Sequence, residues 1–437
     1  MTRGKFKVIG GVVLSTVMAL GMSSLTTFSA YAATNHAVRH AIASPIHLTM
    51  VVYGSSLDQT TYQQRADMYT KLHPNVVITV KLLTGNYDQE VETMIAGGDA
   101  PDIMETSQDT SGLGVKGAIS NLNSYIARAH MNLKQEFPGY VNQYKYKGAQ
   151  YAIPDRGGYM IMYYNKKMFN AAHLAYPSPN WTWKQFLNDA RKLTINKNGR
   201  TVQWGLSIDQ WWPKYGSFVH EVGGHMLNAR ETQSLLNTAP VRNALIFYKQ
   251  FMYKYAITPT PNEWANLGAG ITADALFGQG KAALMPTGFW DIATFNKEHL
   301  DYGITTMPMQ RKGGTTAVGT GLAVVSKTHY PQIAFNAIQY MTSAAGEMPI
   351  VTNKEDIPAN AQTEKAYYNQ TLKGLVAPQT WTMMKSEVFS PKVPPTWNQW
   401  QTLIGDALGQ YFDNKLSYQK MATEVDQQSI NTLAGVQ

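Results

Sequence analysis

The sequence predicts an α/β fold with largely parallel strands, in a chain long enough for two domains. Strand-like and helix-like segments alternate from Ile46 to Met104, and the alternation resumes after Ile153. Such alternation is typical of a sheet whose strands are connected through helices. An N-terminal export signal leaves about 400 residues, which is enough for two ordinary domains and a sizeable core.

The first 32 residues have the composition of a secretion signal. Three basic residues open the chain, an apolar run covers 8–20, and 30–32 reads Ala-Tyr-Ala, a typical cleavage site. The alternative is a transmembrane anchor, but glycine, serine and threonine make the run weakly apolar for a span of about 20 residues. We therefore expect export and cleavage, with a flexible lead over 33–45.

Composition excludes several classes of function. The net charge of +8 falls to +5 without the three basic residues of the signal, and this excess is spread along the chain. A nucleic-acid binder shows a dense basic stripe instead, so no nucleic-acid partner is expected. The chain has no cysteine, which excludes disulfides and thiolate metal sites, and we expect neither a metal nor a cofactor. Only 15% of residues are charged, which suits an acidic exterior where carboxylates are protonated.

The N-terminal domain is predicted from alternation and helix stops. Apolar residues alternate over 46–52 as in a strand, and a helical repeat then runs to Pro74. A second strand covers 76–83. The next helix stops at Gly97-Gly98, because glycine readily ends a helix, and a third strand begins at Pro101.

The rest of the chain gives the same alternation. Thr182 and Gln185 have the spacing of a capping box, which predicts the start of a helix. Further helices are predicted at 239–255, 274–280, 331–346 and from 397 onward, and further strands at 204–208, 282–286, 302–308 and 322–325.

Five ordered segments carry a resemblance to a known family. They are Gly85 to Asp102, Tyr151 to Leu193 with its phrase Tyr-Tyr-Asn-Lys, Phe277 to Trp290 with Gly-Lys-Ala-Ala-Leu and Gly-Phe-Trp, Pro308 to Val325, and Ala334 to Ala345. Together they resemble the extracellular solute-binding proteins of ATP-driven (ABC) importers, in the maltose-binding-protein-like branch that mostly carries sugars. The chain departs from many relatives because it has no lipid-bearing cysteine.

The resemblance implies a two-lobed periplasmic-binding-protein fold of type II, in which each lobe is a mostly parallel sheet flanked by helices. Lobe one would be 46–155 plus 308–355, and lobe two 160–303 plus 360–437, with hinge crossings between them. A mono- or oligosaccharide would bind between the lobes and pass to separate membrane permease subunits. The protein would be a monomer without catalytic residues, periplasmic or at the cell surface.

Candidate ligand residues follow predicted strands, because open α/β sheets bind ligands beyond the carboxyl ends of their strands. A sugar needs polar planar side chains for its hydroxyls and aromatic rings for its C–H faces. Trp290 matches the stacking tryptophan of the family's Gly-x-Trp element, with a core position as the alternative, and Asp291 follows it. Trp211, Trp212 and Tyr215 form an aromatic cluster that we interpret as a loop after 204–208.

The remaining candidates are polar or backbone-rich. The full set is Ser107, Gln108 and Asp109 after the third strand, Tyr53 and Gly54 after the first, Asp155 and Arg156 at a crossing, Gly319 and Thr320 before a late strand, and Trp264 after a proline-rich loop. For the crossing pair, a hinge salt bridge is the alternative.

Two motifs are not interpreted as sites. His220 and His225 are five residues apart, whereas the zinc-protease motif needs four, so a polar loop is expected. The stretch 112–117 fits G-x-G-x-x-G but is also expected to be a loop.

Rival functions are a receptor for a polyol, peptide or organic anion, a surface adhesin, and a secreted glycoside hydrolase, which needs two carboxylates roughly 5–10 Å apart.

Overall fold

The computed structural model describes residues 44–268, 270–391 and 393–434. The predicted signal (1–32) and nearly all of the predicted lead (33–45) lie outside these residues. Within the described part of the chain, no helix is both long enough and apolar enough to cross a membrane.

The strands are short and spread along the described chain. They are β1 (Ile46–Val52), β2 (Val76–Leu82), β3 (Ile103–Thr106), β4 (Lys145–Tyr146), β5 (Ala149–Gln150), β6 (Ile153–Arg156), β7 (Ile161–Asn165), β8 (Ile195–Lys197), β9 (Arg200–Gln203), β10 (Leu284–Thr287), β11 (Tyr302–Thr305), β12 (Thr315–Thr316), β13 (Thr320–Val324) and β14 (Val388–Phe389).

Helices connect and flank these strands. They are α1 (Ser56–Leu72), α2 (Tyr87–Gly97), α3 (Thr110–Val115), α4 (Asn123–Arg128), α5 (Leu133–Glu136), α6 (Lys166–Ala171), α7 (Trp183–Leu193), α8 (Trp212–Glu221), α9 (Ala239–Tyr253), α10 (Pro261–Leu267), α11 (Ala273–Gly278), α12 (Ile292–Lys297), α13 (Pro331–Met341), α14 (Met348–Asn353), α15 (Ala361–Tyr367), α16 (Pro378–Ser386), α17 (Trp397–Phe412) and α18 (Tyr418–Ala434), with 3₁₀ turns at Val141–Tyr144 and Phe289–Asp291 and a π turn at Tyr368–Leu372. The predicted capping box is present, because the Gln185 N–H donates to Thr182 Oγ1 at 3.3 Å and the Thr182 N–H donates to Gln185 Oε1 at 2.8 Å.

A five-stranded sheet in the order β2-β1-β3-β13-β6 forms the first lobe. The alternation of β1 places Leu48, Met50 and Val52 in one buried cluster with residues of α1 and α13. Each fully buried aliphatic side chain contributes roughly 1.5–3 kcal/mol relative to an exposed one. A one-residue slip would move this set to the other face of the sheet and bring His47 and Thr49 into the cluster, so the pattern fixes the register.

A three-stranded sheet in the order β10-β7-β11 forms the second lobe. The predicted strand at 204–208 is instead an extended segment alongside β10. Trp204 bridges Ala282 in parallel, and the Ser207 N–H donates to the Leu284 carbonyl at 2.8 Å. The segment therefore extends the sheet without forming a regular strand.

The predicted two-lobed α/β fold is confirmed, but its sheets are less parallel than expected. In the first sheet β1 pairs in parallel with β2 and β3, whereas β13 is antiparallel to β3 and β6. In the second sheet β7 is antiparallel to both neighbours. β7 and β13 each come after the chain has crossed from the other sheet. No strand–helix–strand connection within one sheet therefore requires them to be parallel to their neighbours.

Two segments that we expected to be loops are helical. Most of 112–117 lies in α3, and the aromatic cluster after 204–208 opens α8. Pro213 stands in the first turn of α8, where the missing N–H of proline has no helical partner to lose. His220 and Glu221 form the last turn of the same helix, so the expected polar loop starts only after them.

Candidate functional site

A cleft of about 890 Å³ lies between the two lobes. Loops after β1 and β3 and the first turns of α2 form one wall, and Trp211, the turn after β10 and the start of α17 form the other. The lining residues are Tyr53, Gly54, Ser55, Asp58, Asn86, Tyr87, Asp88, Gln89, Glu92, Thr106, Ser107, Gln108, Asp109, Lys116, Arg156, Trp211, Trp290, Asp291, Thr294, Val318, Thr320, Asp356, Trp397, Asn398, Gln399, Gln401 and Thr402.

Two indole rings meet in the cleft. Trp290 is half-buried and Trp211 is 39% exposed, and their ring centroids are 5.9 Å apart at an interplanar angle of 71°. The turn after β10 places Trp290 there because Gly288 has no side chain. A Cβ at Gly288 would lie 1.9 Å from Cζ3 of Trp290. The edge-to-face pair leaves flat apolar ring surface available to a ligand.

A polar wall faces these rings from the first lobe. Asp109 accepts hydrogen bonds from Thr106 Oγ1 at 2.9 Å and from the Ser107 N–H at 3.0 Å through Oδ1. Its other oxygen, Oδ2, is buried and has no hydrogen-bond partner among the described atoms. Gly54 turns the chain into α1 at a φ of +114°, a conformation that favours glycine. Ser107 and Gln108 are only half-buried in the same wall, so their polar atoms can form hydrogen bonds with ligand hydroxyls.

Residues of the two lobes meet at one side of the cleft. The Asn398 amide donates to Asp88 Oδ2 at 2.8 Å. Burial, and then the nearby Asp109 carboxylate, raise the pKa of Asp88 to about 7. Near neutral pH Asp88 and Asp109 together carry less than two full negative charges, because two close carboxylates resist ionising together.

The polar residues of the crossing belong to a buried ion network. Arg156 pairs with Asp58 at 2.6 Å and also with Glu105 and Glu355. Although Arg156 lines the cleft, its guanidinium is engaged by three carboxylates. Arg156 Nε also donates a hydrogen bond to Thr320 Oγ1 at 3.2 Å. Thr320 therefore lines the cleft as a partner of this network.

Asp155 does not reach the cleft, contrary to our prediction. Its side chain is fully buried and paired with Arg65, and it accepts a hydrogen bond from the Tyr62 hydroxyl at 2.7 Å. An unpaired buried carboxylate is very costly, so this carboxylate is held by its ion pair. Of the two interpretations of the crossing pair, the salt bridge is the one that applies to Asp155.

Four other predicted site residues also lie outside the cleft lining. Trp212 packs on Trp397 at 5.1 Å and Tyr215 packs on Tyr248 at 6.2 Å, because the helical turn of α8 directs both rings into the core. Gly319 lies behind the polar wall, where its carbonyl accepts a hydrogen bond from Ser107 Oγ at 3.3 Å. Trp264 lines a different cavity in the second lobe.

The structure brings the other ten predicted residues to the cleft. They are Tyr53, Gly54, Ser107, Gln108, Asp109, Arg156, Trp211, Trp290, Asp291 and Thr320. Sequence reasoning missed the start of α2, with Asp88 and Gln89, and the start of α17, with Asn398. The first could have been found, because α2 follows the carboxyl end of β2 and that end also faces the cleft.

His220 and His225 belong to no metal centre of the described chain. Among the described residues, no group of three or more His, Cys, Asp or Glu side chains can hold a metal ion. His220 stacks on Phe389 with ring centroids 3.7 Å apart. Burial, followed by Lys312 and His225, lowers the pKa of His220 to about 4.

A family model described as "Bacterial extracellular solute-binding protein" matches residues 53–348. The maltodextrin-binding protein MdxE of Bacillus subtilis (strain 168) is 23% identical over 364 residues, covering 80% of this chain and 84% of that protein. The maltotriose-binding protein of Pyrococcus abyssi is 22% identical over 259 residues, covering 58% of this chain and 51% of that protein.

Solved structures share the fold over nearly the whole chain. The ABC substrate-binding protein Lmo0181 of Listeria monocytogenes, in complex with cycloalternan, has a TM-score of 0.82 at 21% identity, covering 90% of this chain and 100% of that one. The maltotriose-bound MalE domain of Bdellovibrio bacteriovorus has a TM-score of 0.74 at 18% identity, covering 89% and 100%.

Proposed function

Because the chain belongs to the bacterial extracellular solute-binding proteins, we propose that it captures a neutral mono- or oligosaccharide between its lobes. It then delivers the sugar to the permease subunits of an ATP-driven importer in the membrane. The membership rests on the family model, which matches residues 53–348. The relatives named for maltodextrin and maltotriose support a sugar as the solute.

The single observation that carries this proposal is the composition of the cleft. Exposed indole surface of Trp211 and Trp290 stands opposite the hydrogen-bonding wall around Asp109. Rings and planar polar groups complement the two surfaces of a sugar. The volume of about 890 Å³ lies within the usual range for small-molecule sites.

An anionic solute is less well accommodated. One relative is named a sn-glycerol-3-phosphate-binding protein, of Rhizobium meliloti, at 24% identity. Of the described residues that line the cleft, the cationic ones are Lys116 and Arg156, and both already pair with carboxylates. An anion would have to displace those partners and approach the acidic pair of Asp88 and Asp109.

We also propose that the protein is not an enzyme. A glycoside hydrolase needs two available carboxylates, one of them protonated, on either side of the scissile bond. Asp155 is held by Arg65, and Asp109 lies with Asp88 on the same wall. Asp291 lines the opposite wall, but it is buried and already accepts a hydrogen bond from Thr287 Oγ1 at 2.8 Å. Incubation with oligosaccharides should therefore release no new reducing ends; their appearance would contradict this proposal.

Lobe closure is the transport step in this proposal. We place the two rigid halves at 46–155 plus 308–355 and 160–303 plus 360–437. A ligand that contacts both halves favours the closed form, because only that form makes both sets of contacts. The closed monomer, exported and without a cysteine-linked lipid, would then dock on the permease.

A thermal-shift screen tests the proposed function. A ligand that binds only the folded protein raises its melting temperature. We expect a rise with at least one of maltose, maltotriose, mannobiose and tagatose, and none with sn-glycerol 3-phosphate. A rise with the phosphate alone would replace the sugar receptor with an anion receptor.

A further inference from the structure

A second cavity of about 440 Å³ lies in the second lobe. Its lining combines the half-buried ring of Trp264 with Pro261, Tyr248, Gln210 and Thr272. Trp264 projects from α10, whose first turn is held by a capping box: the Thr260 N–H donates to Glu263 Oε2 at 2.8 Å. The ring therefore sits on an ordered helical turn at this cavity.

The second cavity borders the main cleft. Asp209 and Gln210 line the cavity, and the next residue, Trp211, lines the cleft. Behind this segment, Lys214 is almost fully buried and pairs with Asp209 at 2.8 Å. Lys214 also acts on Asp291 of the cleft, where it opposes the rise in pKa caused by burial. The segment 209–211 therefore contributes residues to both spaces, and Lys214 pairs with its first residue.

We propose that this cavity is an outlying subsite that binds further sugar units of an oligosaccharide held at Trp211 and Trp290. The inference rests on the proposed function and extends it to chain length. Gln210 directly precedes Trp211 of the cleft, and it shares the lining of the second cavity with Trp264.

The chemistry of the lining favours a sugar over another occupant. The Tyr248 hydroxyl is already engaged, since it donates to the Asp209 carbonyl at 2.5 Å. Gln210 is exposed, and no hydrogen bond of its amide is found among the described residues. The ring of Trp264 and the amide of Gln210 therefore combine apolar and polar surface, as the main cleft does on a larger scale.

The test compares short and long sugars on variants of Trp264. Isothermal titration measures Kd for maltose and maltohexaose, and for mannobiose and mannohexaose, with the wild type, Trp264→Ala and Gln210→Ala. Trp381→Ala is the matched control, because Trp381 is also half-buried and packs on the same core cluster but lines neither space. Gln210 is exposed, so its variant does not depend on core packing.

We expect Trp264→Ala to weaken hexasaccharide binding by roughly tenfold or more, with disaccharide binding changed less than twofold. Gln210→Ala should shift the same ratio in the same direction, and Trp381→Ala should leave it unchanged. Equal weakening of both lengths, or no change in either, would overturn the subsite but leave the sugar receptor standing. A wild type that excludes hexasaccharides would also overturn it. A wild type that binds none of these four sugars and no sugar of the thermal-shift screen would overturn the proposed function as well.

Discussion

Replacing Trp290 by alanine should weaken sugar affinity severely. One face of an indole offers about 100 Å², roughly half of what an aromatic side chain buries. At about 25 cal/mol per Å², losing that face costs about 2–3 kcal/mol of binding free energy. This cost corresponds to a Kd that rises roughly 30- to 150-fold. Isothermal titration with the best sugar from the thermal-shift screen measures it.

Gly288→Ala provides an independent perturbation of the same ring. Its added Cβ would fall 1.9 Å from Trp290, so the ring must move, while the φ of −94° at Gly288 is compatible with alanine. We expect an intermediate loss of affinity for this variant and less than a twofold change for Trp381→Ala. An unchanged Kd in Trp290→Ala, for a protein that still melts cooperatively, would refute a stacking role for this residue.

Three further predictions concern stability and closure. Burial raises the pKa values of Asp291 and Asp356 to about 7 from an unfolded value near 3.8. Their contribution to stability is therefore complete below pH 3.8 and is lost as pH rises through 7. The melting temperature should be higher at pH 5 than at pH 8, and the reverse order would contradict this. Asp155→Ala leaves Arg65 buried without its partner and should cost about 3–5 kcal/mol of unfolding free energy in urea, whereas Lys415→Ala, at an exposed pair, should cost less than about 1 kcal/mol; equal costs would show that the buried pair has no special role. Gly112→Ala places a Cβ 2.5 Å from the Pro395 carbonyl, so it should hold the lobes apart and weaken sugar binding by about 1 kcal/mol or more; unaltered affinity would show that this contact does not matter for closure.

The fold was largely predictable because the hydrophobic periodicity and the signals that start and end helices agree with each other. The alternation in β1 and the capping box at Thr182 specify their elements without help from the rest of the chain. Strand direction was not predictable in the same way. The reversal of β7 and β13 depends on where the chain passes between sheets, and no local pattern records that passage.

The residues of the cleft were predictable where they directly follow strands. Trp290 and Asp109 are examples, because the strand ends themselves place them in the cleft. Trp212 and Tyr215 were misplaced because α8 begins earlier than expected, and one helical turn then directs their rings into the core. Asn398 was missed because α17 follows no strand of either main sheet, and only tertiary packing brings it to Asp88.

Hydrogen exchange with and without a saturating sugar tests the central claim, that one ligand is gripped by both lobes. The account predicts slower exchange at 53–55 and 106–109 in the first lobe and, at the same sugar concentration, at 288–291 in the second. Protection confined to one of these walls, or found only at segments distant from the cleft, would contradict it.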